Sequence, residues 1–274
     1  MKKQIRLLML ALLVALLQAC GGDDSASTKN TLANINTDSP DGAFMAVVQS
    51  LKNNDVNALM QISMSAEEYD KAVKEFETAK NTPTESDKAQ FNQMMSMLTN
   101  DDAENLIMAM VTPKLEQMRA QLPMMLMMGK SMASQMIESS SDVPDDQKET
   151  ATRLATALMD FVSENDILSE EVTRKAISTA ISTAKNLDMT SLEELQNMSY
   201  DDAMVKASIV MGGAKDVLGA YGISLDDLLS SVEVSDVMEN GDNASMKLAY
   251  KFLGQTFNQD MKMVKKEGKW VADK

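Results

Sequence analysis

From about Glu85 the chain reads as helix for well over a hundred residues, and this one run decides that most of any fold it makes is helical. A capping residue or a proline marks starts at Thr112-Pro113, Pro144-Asp145-Asp146, Ser169, Thr190-Ser191-Leu192-Glu193 and Ser199-Tyr200-Asp201-Asp202. Stops stand at Ser139-Ser140-Ser141, Asn165-Asp166, Asn186 and the glycines Gly219 and Gly222. No fixed-period repeat runs through the stretch, so an irregular bundle is expected rather than a solenoid.

The filling of that bundle is unusual. Aromatic residues make up 4% of the chain while methionine occurs 26 times, and twelve methionines fall between Met94 and Met136. Three readings compete for them. The first is plain core: Leu115, Met118, Leu122, Met125, Met132 and Met136 lie on an i, i+3, i+4 ladder of the kind a packed helix needs. The second is a binding surface. Leu122 to Met128 is apolar on all sides, so part of it must be covered by other helices, lipid or a partner, and unbranched thioethers repack around different ligands. Met124, Met125, Met127, Met128 and Met132 are its candidate residues, with Met124, Met127 and Met128 the expected exposed members. The third is Cu(I), for which Met124 with Met127 or Met128, or Met132 with Met136, supply soft ligands. Apolar neighbours and the lack of histidine speak against it, and no metal or cofactor is expected.

Around this stretch lie shorter elements. Ser39-Pro40-Asp41 starts a helix with Phe44, Val47, Val48 and Leu51 at helical spacing, and Asn53-Asn54-Asp55 closes it. Ser65-Ala66-Glu67-Glu68 is a capping box for a helix reaching about Lys80, with Tyr69, Val73 and Phe76 on one face, before Asn81 to Thr84 breaks it. Near the C-terminus the period changes to two: Val232 to Met238, an Asn240-Gly241 turn, then Met246, Leu248, Tyr250 and Phe252 alternating with Lys247, Ala249 and Lys251. Phe257, Met261 and Met263 continue the alternation, Glu267-Gly268 turns, and Lys269-Trp270-Val271 adds a last strand. The expected class is α+β, predominantly α-helical: an irregular helical bundle with a small C-terminal antiparallel sheet of three to four strands. Asp41-Gly42-Ala43-Phe44 and Leu51 to Asp55, together with a terminal meander ending Val264 to Val271, resemble nuclear transport factor 2-like α+β cone domains over residues 39 to 80 and 220 to 274. The resemblance implies a sheet curved around the early helices, with residues 85–218 as a helical insertion, and the pocket acids, tyrosines and histidines of that family's enzymes have no counterparts here.

The N-terminus decides where such a body would sit. Lys2, Lys3 and Arg6 precede the uncharged run Leu7 to Ala19, too short at ~20 Å to span a ~30 Å hydrocarbon core, and the chain's one cysteine follows. Leu17-Gln18-Ala19-Cys20 resembles a bacterial lipobox. The resemblance implies removal of residues 1–19, acylation of Cys20, and, with Gly21 next, an outer-membrane lipoprotein facing the periplasm. Residues 20–38 then form a polar tether, 39–84 the first helices of the body, 85–218 the methionine-rich helices, and 219–274 the last helix and the meander.

Composition narrows the chemistry. The leader holds three of the 26 basic side chains, leaving 23 against 41 acidic ones, a balance of −18. So acidic a chain is not expected to bind nucleic acid, nor to grip anionic headgroups through a basic patch; membrane contact is expected from the acyl chains. With no second cysteine the fold stands without an intrachain disulfide. With no histidine the Ser-His-Asp and Cys-His arrangements are excluded, and a hydrolase or isomerase would have to work with carboxylates alone. The acidic pairs Asp101-Asp102, Asp145-Asp146, Asp201-Asp202 and Asp226-Asp227 read as helix starts, Asp236 to Asn243 as a turn rather than a calcium loop, and Gly212-Gly213-Ala214-Lys215 as close helix packing. The expected role is therefore non-enzymatic: an anchored binding or scaffolding protein for an apolar ligand or an envelope protein.

Overall fold

Ser39 caps the first helix as its place before Pro40 predicts: its Oγ accepts from the Gly42 amide at 3.3 Å, and α1 (Pro40–Lys52) follows. Asn54 takes a left-handed φ of 57°, and Asp55 then caps α2 (Val56–Ser63) by accepting from the Ala58 amide at 2.9 Å. Ser65 and Glu68 cap each other's backbone amides at 3.2 Å to open α3 (Ala66–Thr78). Caps of this kind are worth ~1 kcal/mol each, enough to set where a marginal helix begins. The computed structural model describes residues 37–78, 84–141, 143 and 145–273. The leader, Cys20 with the tether as far as residue 36, Pro83 and Pro144 lie outside them.

The long helical stretch contains α4 (Glu85–Leu98), α5 (Ala103–Ser139), α6 (Asp145–Glu164), α7 (Glu170–Leu187), the short α8 (Glu193–Asn197) and α9 (Tyr200–Ala220), and α10 (Leu225–Ser230) follows. Ser169, Ser199 and Ser224 cap α7, α9 and α10 through hydroxyls that accept from amides three residues on. The expected start at Thr112-Pro113 is overturned, because α5 runs straight through Pro113 and Pro123. Each proline removes one backbone donor, which costs a helix interior ~3 kcal/mol where the freed carbonyl stays dry. Both prolines are exposed, so water can reach the freed carbonyls.

Residues 233–272 form a four-stranded antiparallel meander in the order β1 (Glu233–Asn240), β2 (Asn243–Phe252), β3 (Gln255–Lys266), β4 (Lys269–Ala272). Its loops are two residues long. Leu253-Gly254 and Glu267-Gly268 take positive φ at both positions, the geometry that matches the twist of the strands they join. The first loop is Gly241-Asp242, one residue later than expected: Asn240 is still paired, opposite Asn243, and Gly241 supplies the positive φ. Alternation puts Ala244, Met246 and Leu248 of β2, Met263 of β3 and Trp270 of β4 on one face, packed against Ala43 and Phe44 of α1. At the other end of the same face the fully buried Phe257 stacks on Tyr250, with centroids 5.6 Å apart, and lies under the Arg153 guanidinium of α6.

Helix α9 ties the helices to one another. It packs along α7 and crosses the α1–α2 corner, where a side chain on Gly212 would come within 2.9 Å of Asn54 Nδ2 and Ala214 is fully buried. This is the close packing expected of Gly212 to Lys215. Lys215 is itself buried, and its Nζ donates to the carbonyls of Leu51 (3.2 Å) and Lys52 (2.9 Å) while pairing with Asp226 of α10. At the start of α9 the Tyr200 ring is buried, and Tyr69 and Phe76 of α3 meet it edge-on at 5.8 and 5.7 Å. The Tyr200 hydroxyl has no hydrogen-bond partner of proper geometry. Burial first, then neighbouring Tyr69, push its pKa up to about 12.

Two expectations follow from these contacts. Lys215→Met, which keeps the side-chain volume but removes a donor from two helix-end carbonyls, lowers unfolding free energy by ~1.5–3 kcal/mol in urea titrations, whereas Lys71→Met on an exposed turn changes it by less than ~0.5. Because the folded-state pKa of Tyr200 lies above the ordinary 10.0, stability is intact below pH 10 and falls as the pH rises from there toward 12. Tyr200→Phe removes an unbonded buried hydroxyl; thermal melts at neutral pH stay level or rise, and the alkaline loss shrinks.

Candidate functional site

Helix α5 is 37 residues long, ~55 Å at 1.5 Å per residue, and only one of its sides is covered. It packs against α6 and α7, with α4 at its start. The side it buries is carried by Met108, Val111, Leu115, Leu122, Leu126, Gly129, Ala133 and Ile137, spaced by three, four or seven residues. Gly129 lets Met159 of α6 lie against the backbone, 3.7 Å from where a side chain would begin. Polar side chains clamp the same side. Arg119 donates to both carboxylate oxygens of Asp166 (3.1 and 3.0 Å) and to the Leu168 carbonyl (3.1 Å), Lys130 pairs with Asp160, and Glu104 pairs with Arg174 of α7 at 2.9 Å. All three pairs are solvated, so they align the helices more than they stabilise them.

The methionines are on the outside. Met118, Met125, Met132 and Met136, read as core from their spacing, are 49, 58, 53 and 66% exposed, and the core reading is overturned for these four, while Leu115 and Leu122 of the same ladder are half-covered. Two stripes of helical period fit the same segment, about 90° apart around the helix, and the one built of Leu, Val, Ala, Gly and Ile is the one that packs. The branched and small residues lose less side-chain entropy on packing than methionine does and allow closer helix contact. Of the candidate residues, Met124, Met128 and Met132 stand at i, i+4 spacing and, with Met136, form one ridge along α5. Met125 adjoins that ridge. Met127, 73% exposed, points from a different side of the helix and does not join the others. Met136, Met118 and Met110 belong to the exposed set beyond the five candidates. Between Met118 and Met136 this side carries Gln121 and Gln135 and no charged residue.

Away from α5, charged groups at the start of α9 are already engaged. An open depression of about 510 Å³ is lined by Glu194, Asn197, Met198, Asp202, Val205 and Lys206. Glu194 accepts from the amides of Thr190 and Ser191, Asp202 accepts from the Ser199 hydroxyl, and Lys206 donates to the Leu187 carbonyl. Two of the three are helix-start contacts, and Thr190 and Ser199 hold the carboxylates of Glu194 and Asp202 in place; the Glu194 carboxyl is held below its ordinary pKa by the Thr190 contacts. Among the described residues no group of three or more His, Cys, Asp or Glu is arranged to hold a metal ion, and no helix is long and apolar enough to cross a membrane.

The two stripes of α5 can be told apart by stability alone. Leu122→Ala and Leu126→Ala each lower unfolding free energy by ~1–3 kcal/mol, the lower part of the buried range because both are half-covered. Met128→Gln and Met132→Gln leave it within ~0.5 kcal/mol. Equal losses in the two sets, read by chemical denaturation, would return the methionines to the core.

Comparison with family models, with curated proteins and with solved structures finds no match to this chain.

Proposed function

We propose that this chain is a membrane-anchored bacterial lipoprotein, acylated at Cys20 and held at the outer membrane facing the periplasm, that binds an apolar segment of a partner and performs no chemistry of its own. The observation that carries the reading is the methionine ridge Met124-Met128-Met132-Met136, exposed along a helix whose other apolar stripe is packed. Ridges at i, i+4 spacing are the element by which helices interlock, and this one has no helix against it among the described residues. An uncharged thioether surface suits a partner that presents an amphipathic helix, because unbranched side chains repack around its anchors at little cost. The lack of histidine, and the prior engagement of the acids in the open depression, support a binding rather than a catalytic role. The likeness to nuclear transport factor 2-like domains is part of the same proposal, supported by the meander packed on α1 and α2.

The same ridge favours a second reading, Cu(I) capture, because neighbouring thioethers at i, i+4 can share one soft ion. One experiment separates the two. A photo-crosslinking amino acid at Gln121, in cells making the full chain, gives a discrete adduct that the same group at Glu116 does not. Replacing the four ridge methionines by leucine keeps the adduct, since apolarity is retained; replacing them by serine abolishes it. If the leucine set loses function and wild type takes up Cu(I) stoichiometrically, the copper reading wins. An adduct indifferent to both sets removes the ridge from the function.

A further inference from the structure

The acidity of this chain is not spread evenly. Residues 37–242 hold 15 basic and 36 acidic side chains, a balance of −21, whereas residues 243–274 hold seven and three, a balance of +4. The fold sends the basic excess to the sheet. The strand registers pair Lys247 with Asp260, Ser245 with Lys262, Lys251 with Thr256 and Lys266 with Lys269. Alternation therefore sets Lys247, Lys251, Lys262 and Lys266 on the face opposite Met246, Leu248 and Met263, and all four are exposed. Among the described residues no helix covers this outer face: α1 and α6 both lie on the inner one. Carboxylates share it or border it too. Asp236 pairs with Lys247 at 2.8 Å, Asp260 projects between Lys247 and Lys262, Glu233 lies at the β1 edge, and Asp273, just past β4, lies opposite Lys262, to whose carbonyl its amide donates at 2.9 Å. The basic part is thus β3 with the end of β2, where Lys251, Lys262 and Lys266 are in no ion pair among the described residues.

The start of the described chain comes to this sheet. Trp270 Nε1 of β4 donates to the Asp38 carbonyl at 3.1 Å, and Lys269 Nζ donates to the Gln61 carbonyl at 3.3 Å, so α1 begins at the β4 edge. Sixteen residues separate Cys20 from Thr37. Even fully extended, so short a piece keeps that edge within ~60 Å of an acyl anchor.

We infer that the outer face of the sheet is the side of this protein that rests on the anionic phospholipid surface of its membrane, with Lys251, Lys262 and Lys266 as the contact residues. The inference rests on the anchor at Cys20 proposed above. Binding from solution would fight the net charge of the whole chain, but an anchored molecule has only to choose which side it turns down. Attraction to headgroups decays over a Debye length, ~8 Å at physiological salt, so a face that gathers several lysines on one side is favoured over the acidic helices. Whole-chain acidity, which argued against any basic contact with headgroups, averages two surfaces of opposite sign.

The test is amine footprinting of the full acylated chain, reconstituted into vesicles of phosphatidylglycerol or of phosphatidylcholine and read residue by residue by mass spectrometry. Lys251, Lys262 and Lys266 react several-fold more slowly on phosphatidylglycerol, recover at 1 M salt, and show no protection on phosphatidylcholine, while Lys71 and Lys114 react alike throughout. In K262E/K266E, checked for native circular dichroism, the protection of Lys251 is lost. Equal reactivity on both lipids overturns the inference, and protection on both assigns the face to a neighbouring copy and overturns it equally. The anchor is judged separately, by the acyl mass on Cys20 and by flotation with phosphatidylcholine vesicles. Should it be missing, coupling the Cys20 thiol to a maleimide-headgroup lipid in the same vesicles supplies the tether and puts the same three lysines to the same test.

Discussion

A single buried ammonium group holds the two halves of this molecule in register. Lys215 reaches from α9 to the last carbonyls of α1 and at once to Asp226 of α10, so one side chain joins the central helix, the first helix and the helix that leads into the sheet. A cation at a helix C-terminus meets the negative end of the dipole and two carbonyls that have no partner within the helix. Each of its three contacts is an oxygen. The glycine three residues earlier lets α9 come close enough for the bonds to form, and Asn54, left-handed at the α1–α2 corner, is the surface it approaches. Loosen this contact and α1 loses its fixed angle to α9, and with it the apolar base on which Ala244, Met246, Leu248 and Trp270 pack.

What could be read in advance was local. Ser39, Ser65, Ser169 and Ser199 start helices because a hydroxyl three residues before a free amide satisfies it whatever the tertiary structure. Alternation from Met246 to Phe252 predicted the sheet for the same reason, and Glu267-Gly268 announced its own turn. The failures were decisions that only packing makes. Pro113 and Pro123 mark a helix start or a helix interior depending on whether their freed carbonyls are wet, and that is settled by which side of α5 meets α6. Leu253-Gly254 carries one glycine and no second turn former, so its loop became visible only once Phe252 was seen paired with Gln255. Between the two stripes of α5, hydrophobicity could not choose, and spacing alone pointed to the wrong one; the presence of Gly129 and Ala133 on the other stripe was the overlooked signal of close helix contact.

The candidate site was legible as a composition and not as a surface. Met124, Met125, Met127, Met128 and Met132 stood out because they are crowded together, but crowding says nothing about which share a face. Periodicity at i, i+4 joins Met124, Met128, Met132 and Met136 and leaves Met127 aside. The same limit applied to charge. A net figure for the whole chain concealed a basic sheet behind acidic helices, and only strand pairing shows that the lysines of β2 and β3 point the same way.

These two surfaces are placed by one stack of layers. The sheet's inner face receives α6 through Arg153 over Phe257, and α6 in turn receives α5 through Met159 against Gly129, so the order is sheet, α6, α5. Helix α6 thus stands between α5 and the strands. If the outer face of the sheet lies on headgroups, the packed stripe of α5 looks back toward α6 and its methionine ridge is turned to one side, clear of the bilayer. An uncharged thioether surface left free at the end of a tether would risk partitioning into the nearest membrane. Charge at the opposite side of the stack opposes that, because every lysine drawn to the headgroups raises the free energy of tipping α5 toward the lipid. The acidic helices add to the same bias, since the anionic surface repels them. On this account the asymmetry of charge serves the methionine ridge: it keeps an apolar surface available to a partner beside a much larger apolar phase.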